Sequence, residues 1–254
     1  MKDRSDGMRI NCMIIHLDRA ATRQAHVSKM RDALPFPAEI VSAIDAKVDE
    51  TQSLEFGVYQ TNLFSPRYPQ SLSPAEVACF RSHRKCWQRI VDQDMDAAFV
   101  LEDDVEFDPE IFQRAVNLTV GIVRQGDFVR FPQKQRQVKG NTFAQDREIQ
   151  LTLPARIELG MIAQIVTKEA AKQLLQNTKI FDRPIDCFLQ MPWEHGARVL
   201  SVWPSGVKEV SNQLGGSTIN HKVFGLAKLK REISRPIYRN KIYNLSDQFF
   251  AQLL

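Results

Sequence analysis

Glu102, Asp103 and Asp104 stand together at the end of an apolar run, Phe99-Val100-Leu101. Three adjacent carboxylates repel one another unless a cation lies among them. The apolar run reads as a buried strand of a parallel sheet. In open α/β sheets, ligands sit beyond the carboxyl ends of the strands. A hard divalent metal, held by one or two carboxylates and completed by phosphate oxygens and water, is the usual partner of such a set. The run therefore points to a metal–diphosphate site. A solvated acidic loop after a strand is the competing reading of the same residues.

The elements that would position these acids alternate along the chain. Ile10 to Ile15 reads as a short apolar strand. A polar helix follows over roughly 22–34, stopped by Pro35 and Pro37. A second strand spans 38–44, and residues 46–72 are polar and irregular. Ser73-Pro74-Ala75-Glu76 is a helix start, with Ser73 as N-cap, Pro74 in the first turn and Glu76 closing a capping box. Cys79, Phe80, His83, Cys86, Trp87 and Ile90 then recur at helical spacing and predict one buried face, with Arg81 and Arg84 on the surface. Asp108-Pro109 opens another helix that ends near Gly126, and Phe128 to Phe131 is strand-like. Residues 132–148 are polar and carry the turn signal Lys139-Gly140-Asn141. Two β-rich runs lie near 149–153 and 159–166. Thr167 can cap a helix through Leu175, a short helix covers 184–189, and a last strand covers 199–203. This alternation argues for an α/β sheet with helices on its faces.

At 254 residues the chain is one such domain with an appendage, and its 43% hydrophobic content supplies a sizeable core. Cys12, Cys79, Cys86 and Cys187 are scattered, no pair has zinc-site spacing, and their apolar neighbours read as buried thiols in a reducing cytosol. The N-terminus lacks an apolar signal core, and no stretch approaches the ~20 apolar residues of a membrane span.

The tail differs in composition. Residues 222–241 hold Lys222, Lys228, Lys230, Arg231, Arg235, Arg239 and Lys241 against Glu232 alone, interleaved with apolar side chains. Basic amphipathic segments favour anionic membrane surfaces. Nucleic-acid binding is the competing reading of such charge, and nothing else in the chain reads as a nucleic-acid module. A solvated helix packed on the domain fits the pattern as well. The expected organisation is a catalytic domain over 1–220 and a basic tail over 221–254.

Several pieces, in order, resemble glycosyltransferase family 25, which includes bacterial lipopolysaccharide galactosyltransferases and collagen galactosyltransferases. Ile14-Ile15-His16-Leu17-Asp18-Arg19 with Arg23 is similar to the family's first strand and its arginines. Ala43-Ile44-Asp45-Ala46 resembles its Ala-Val-Asp-Gly segment. Leu72 through Glu76, Cys79, Ser82-His83 and Trp87 resembles its long helix, and Leu101-Glu102-Asp103-Asp104 its metal motif. Gly160, Lys168 to Ala171 and Leu174-Leu175 resemble a later strand–helix block, and Pro184 to Leu189 a Pro-x-Asp motif. The chain departs from the pattern at His16, where Asn is common, and at Ala46, Ala75 and Ala78, where glycines are usual. It also lacks an acid within Ser217-Thr218-Ile219.

The resemblance implies a GT-A-like, Rossmann-type mixed sheet flanked by helices. It implies a UDP-sugar donor, with galactose the expected hexose, a saccharide or lipid-linked saccharide acceptor, and Mn2+ or Mg2+. The setting it implies is cytoplasmic cell-surface glycan synthesis, peripheral on the inner face of the membrane if the tail binds there. Glu102 and Asp104 are the implied metal ligands, with Glu102 also near the nucleotide, and Asp103 orients the nucleotide or is itself a metal ligand. Inversion by a single displacement needs a base on the acceptor hydroxyl, and Asp186 is the implied base, with a helix N-cap as its alternative role. Arg19 and Arg23 suit diphosphate oxygens or serve as solvated first-turn residues. His83 is a buried histidine or a group near the donor. Trp193 and Glu194, with His195, form an acceptor-side cluster or a packed loop, and His221 is a more distant metal candidate. A sugar nucleotidyltransferase is the alternative enzyme class. It would be expected to carry a Gly-rich loop after the first strand, where this chain has His16-Leu17-Asp18-Arg19.

Overall fold

The strand that ends in Glu102 runs through the middle of an eight-stranded sheet. The computed structural model describes residues 8–48, 55–134, 140–216 and 226–253, with side chains in the last segment from 232 onward. In chain order the strands are β1 (Ile10–His16), β2 (Ala38–Ser42), β3 (Val58–Tyr59), β4 (Ala97–Glu102), β5 (Val105–Phe107) and β6 (Asp127–Arg130). They continue as β7 (Gly140–Asp146), β8 (Ile149–Pro154), β9 (Ala163–Thr167), β10 (Ile180–Phe181), β11 (Arg198–Trp203) and β12 (Val207–Glu209). The helices are α1 (Gln24–Ala33), α2 (Pro74–Asp92), α3 (Pro109–Ile122), α4 (Lys168–Asn177), α5 (Ile185–Leu189), α6 (Pro192–His195) and α7 (Leu226–Gln252).

The main sheet has the order β2-β1-β4-β9-β6-β11-β8-β7. β2, β1 and β4 are parallel neighbours, and β6 and β11 are another parallel pair. β9 runs antiparallel between β4 and β6, which makes the sheet mixed. Both faces are covered. Met13, Val100 and Val166 pack under α2 and α4 with Phe80, Trp87 and Leu174. Cys12, Ile14, Phe99 and Leu101 point to the other face, against Val27 of α1 and Phe112 of α3. Burial on both faces is why the central strands read as unbroken apolar runs.

The capping box of α2 forms as the sequence requires. Ser73 Oγ accepts from the Glu76 N–H, and Glu76 Oε2 accepts from the Ser73 N–H at 2.8 Å. Two expectations are corrected. The segment around 140–146 is not a loop: it is β7, paired antiparallel with β8 at the sheet edge. Its side chains are mostly exposed, so no apolar alternation marks it. Arg81 and Arg84 are buried, not on the surface. Arg81 Nε donates to the Gly57 carbonyl, while Arg84 Nε donates to Phe56 O and its Nη1 to Leu175 O at 3.0 Å. Both tie an irregular segment to α2, and side-chain type alone gives no hint of that use.

A buried ion pair ties the tail to the domain. Asp182 and Arg183 are both fully buried, with Arg183 Nε donating to Asp182 Oδ1 at 2.7 Å. Arg183 also donates to the carbonyls of Phe64 and Pro66 and, through Nη1, to the Tyr238 hydroxyl of α7 at 3.0 Å. Tyr238 and Ile242 form a small core with Met191. The expected tail thus begins, within the described residues, as a helix packed on the domain. Removing one partner of a buried pair leaves an uncompensated charge. Arg183→Met is therefore expected to cost ~3–5 kcal/mol in urea unfolding, and Tyr238→Phe about 1.5–3 kcal/mol. An Arg183→Met protein as stable as the parent would contradict this role.

Candidate active site

Parallel pairing of β1 with β4 sets Ile15 beside Glu102 in register, so both strands end on the same edge. The chain leaves β1 at His16, passes Arg19, and returns through a single 3-10 turn at Ala21–Arg23. This return brings Arg23 back over the acidic run. Asp103 lies 2.7 Å from His16 Nδ1 through Oδ2 and accepts from Arg23 Nη1 through Oδ1. The same Nη1 donates to Asp104 Oδ2 at 3.1 Å, and Arg23 Nη2 donates to the Gly216 carbonyl at 2.7 Å. His16, Arg23, Asp103 and Asp104 are all buried.

The cation among the carboxylates is thus, in the first place, a guanidinium. Burial opposes the charge on Arg23, but Asp103 and Asp104 hold it above its usual range. Asp104 is the group left short of compensation. Burial, then the neighbouring Glu102 carboxylate, push its carboxyl from 3.8 up to about 7, against the pull of Arg23. Its Oδ1 is buried and has no hydrogen-bond partner. An unpartnered carboxylate oxygen beside a second carboxylate fits a hard dication. Glu102 and Asp104 are the residues that would hold Mn2+ or Mg2+ here.

Two pockets meet at this edge. The smaller is lined by Arg19, Ala43, Asp45, Ala75, Ala78 and the three acids, among others. The larger, about 740 Å³, is lined by Arg130, Glu158, Asp186, Arg235, Tyr238 and Arg239, among others. Cys79, Glu102 and Glu209 line both.

The model of glycosyltransferase family 25, described as an LPS biosynthesis protein family, matches residues 9–189. The chain belongs to glycosyltransferase family 25. A glycosyltransferase 25 family member of Anopheles gambiae is 25% identical over 187 residues, 72% of this chain and 31% of that protein. Procollagen galactosyltransferase 1 of Danio rerio is 25% identical over 182 residues, 69% of this chain and 30% of that one. The chain thus spans about a third of the length of these relatives. Among solved structures, mannose-1-phosphate geranyltransferase from Thermus thermophilus aligns over 77% of this chain and 74% of that one, with TM-score 0.38 and 10% identity.

Family membership gives the chain's own departures a place. Ala75 and Ala78, where the family has glycines, line the smaller pocket. His16, where Asn is common, is the residue that contacts Asp103. The other expected residues separate by place. Arg19 lines the smaller pocket, with Nε donating to Asp45 Oδ2 at 2.7 Å, whereas Arg23 is buried and turned to the acids. Asp186 lines the larger pocket; Pro184 is the N-cap and the helix starts at Ile185, so Asp186 sits within the first turn and not at the cap. Its Oδ2 accepts from the Gly160 N–H and its Oδ1 from the Cys187 N–H. Trp193 packs on Phe249 of α7, and neither it nor Glu194 lines these two pockets. Ser217 to Ile219, His221 and Lys222 lie outside the described residues.

Sequence reasoning missed Glu209 and Arg130. β12 pairs with β5, which sets Glu209 opposite Val105 just past the acidic run. Only this long-range pairing brings Glu209 to the site. Arg130 donates to the carbonyls of Leu159 and Gly160 at 3.0 and 2.7 Å, bracing the segment that holds Asp186.

Asp104 makes a pH prediction. The folded state holds its proton up to about 7, the unfolded chain only to 3.8. The associated stability is complete below the unfolded value and is lost as pH rises through the folded one. Asp104→Asn removes this titration. With divalent ions chelated, the variant's Tm relative to the parent is expected to rise between about pH 4 and about pH 7 and to level off above that. A Tm difference independent of pH would contradict the raised value.

Proposed function

We propose that this protein transfers a hexose, galactose first among candidates, from a UDP-sugar to a hydroxyl of a saccharide or lipid-linked saccharide acceptor, with inversion and with Mn2+ or Mg2+. The observation that carries this reading is the meeting of the two pockets at Glu102. A leaving diphosphate in the smaller pocket and an acceptor in the larger one would face each other across that residue. Family membership supports the reaction class, and the names of the animal relatives favour galactose.

In this reading Glu102 and Asp104 would hold the metal, which would supply Lewis-acid stabilisation of the charge gathering on the departing diphosphate. Arg23 neutralises Asp103 and His16 contacts its other oxygen, so the third carboxylate does not compete for the ion. Arg19, more exposed than Arg23, is placed to meet diphosphate oxygens in the smaller pocket. Asp186 takes the proton of the acceptor hydroxyl, and its backbone hydrogen bonds hold the carboxylate at the rim. Arg235 and Arg239 of α7 bound the larger pocket and give the acceptor side a cationic wall. The glycine-free turn after β1 offers no phosphate loop of the kind a nucleotidyltransferase uses.

Incubation with UDP-galactose and manganese is expected to release UDP, and a chelator to stop it. Asp186→Asn should lower turnover ~10²–10⁴-fold while leaving UDP affinity unchanged in calorimetry. Full activity in excess chelator, or an Asp186→Asn protein with undiminished turnover, would overturn these assignments.

A further inference from the structure

Cys79 and His83 are four residues apart on α2, so their side chains lie on one face of the helix, one turn apart. That face meets the end of β4. Cys79 Sγ, a His83 ring nitrogen and a Glu102 carboxylate oxygen all lie within 4.8 Å of one another. His83 is 1% exposed, and its Nε2 has no hydrogen-bond partner. Nε2 stands 3.6 Å from Glu102 Oε1, too far for a hydrogen bond.

We propose that Cys79, His83 and Glu102 form a binding site for a borderline divalent ion of the zinc class, distinct in ligand chemistry from the all-oxygen pair of Glu102 and Asp104. The spacing favours it. Ligand atoms about 2.1 Å from a tetrahedral ion are about 3.4 Å apart, close to the His83–Glu102 separation. Thiolate and imidazole select zinc, cobalt or iron over magnesium and calcium. An amide lies on the far side of the imidazole: Gln164 Nε2 is 3.2 Å from His83 Nδ1, and Gln164 Oε1 is buried without a hydrogen-bond partner. Turning that amide over on metal binding satisfies Oε1, which then accepts the Nδ1–H and fixes the tautomer whose Nε2 lone pair faces Glu102. Without an ion, that nitrogen is a buried polar atom with no partner, an arrangement that costs stability. Binding displaces the Cys79 thiol proton to solvent and leaves one dication against one thiolate and one carboxylate. Three protein ligands leave a fourth position, and all three residues line the smaller pocket, so that position opens toward it.

The test is optical, so its outcome is separate from that of the proposed transfer reaction. Metal-stripped full-length protein is titrated with Co2+ and followed in the near ultraviolet and visible. One equivalent is expected to produce a thiolate-to-cobalt charge-transfer band, which equimolar Zn2+ abolishes and equimolar Mn2+ does not. Cys79→Ser should lose the band, and His83→Gln should weaken cobalt binding at least tenfold. Cys187→Ser, which alters the thiol of the larger pocket, should keep the band. Circular dichroism of each variant reports whether it is folded. Absence of the band in the parent protein, or its survival in folded Cys79→Ser, would overturn the proposal.

Discussion

The arrangement rests on one constraint: carboxylates crowded at a strand end must be neutralised. Buried charges of one sign are tolerated only when paired. Arg23 meets this need from the other side of the sheet edge, contacting Asp103 and Asp104 with a single nitrogen and Gly216 O with its second. The return turn after β1, the end of β4 and the segment after β12 are therefore held together by one side chain. What Arg23 leaves uncompensated is the Asp104–Glu102 pair, the two residues that would hold the proposed metal. A fully neutralised cluster would be a structural knot; this one has an unpartnered carboxylate oxygen on Asp104, a residue that lines the smaller pocket.

The second constraint is the meeting of two surfaces. The smaller pocket is built from the ends of the parallel strands β1, β2 and β4 and the first turns of α2, with Glu209 of β12 beside them. The larger is built from the segment before β9, the start of α5 and a face of α7. α7 is thus more than an appendage. Its buried stripe of Tyr238, Ile242 and Ser246 seats it on the domain, and Arg235, Arg239 and Tyr243 reach the pocket. The basic pattern that reads as a membrane-binding tail is, over these residues, partly the wall of a cleft. No helix among the described residues is long and apolar enough to cross a membrane.

The sequence is legible where local physics decides. The capping box of α2, the apolar run of β4 and the Asp108-Pro109 start of α3 each form as their residue types require. The acidic run is legible as chemistry because burial of the strand and the charge of its end conflict openly. Other features are hidden for physical reasons. β7 pairs through backbone bonds at a solvated edge, so its side chains carry no period. Arg81 and Arg84 read as surface residues, yet each is buried by hydrogen bonds to carbonyls remote in sequence, and Arg183 is buried in the same way. Glu209 reaches the site through strand pairing that nothing near residue 209 announces. Arg23 reads from sequence as a site residue but not as the partner of Asp103 and Asp104, because 80 residues separate it from the acid it grips.

The central claim is a division of labour within one acidic run: Asp103 is neutralised by the protein itself, while Asp104 and Glu102 serve the ligand. Calorimetric titration of UDP in manganese, on Asp103→Asn and Asp104→Asn side by side, tests it most directly. The expected result is that Asp104→Asn weakens binding at least ~10-fold, on the scale of a disturbed metal site. Asp103→Asn should keep the affinity and instead lower Tm, having lost its buried pair with Arg23. The reverse pattern, with Asp103 carrying the metal-dependent affinity and Asp104 dispensable, would contradict the account.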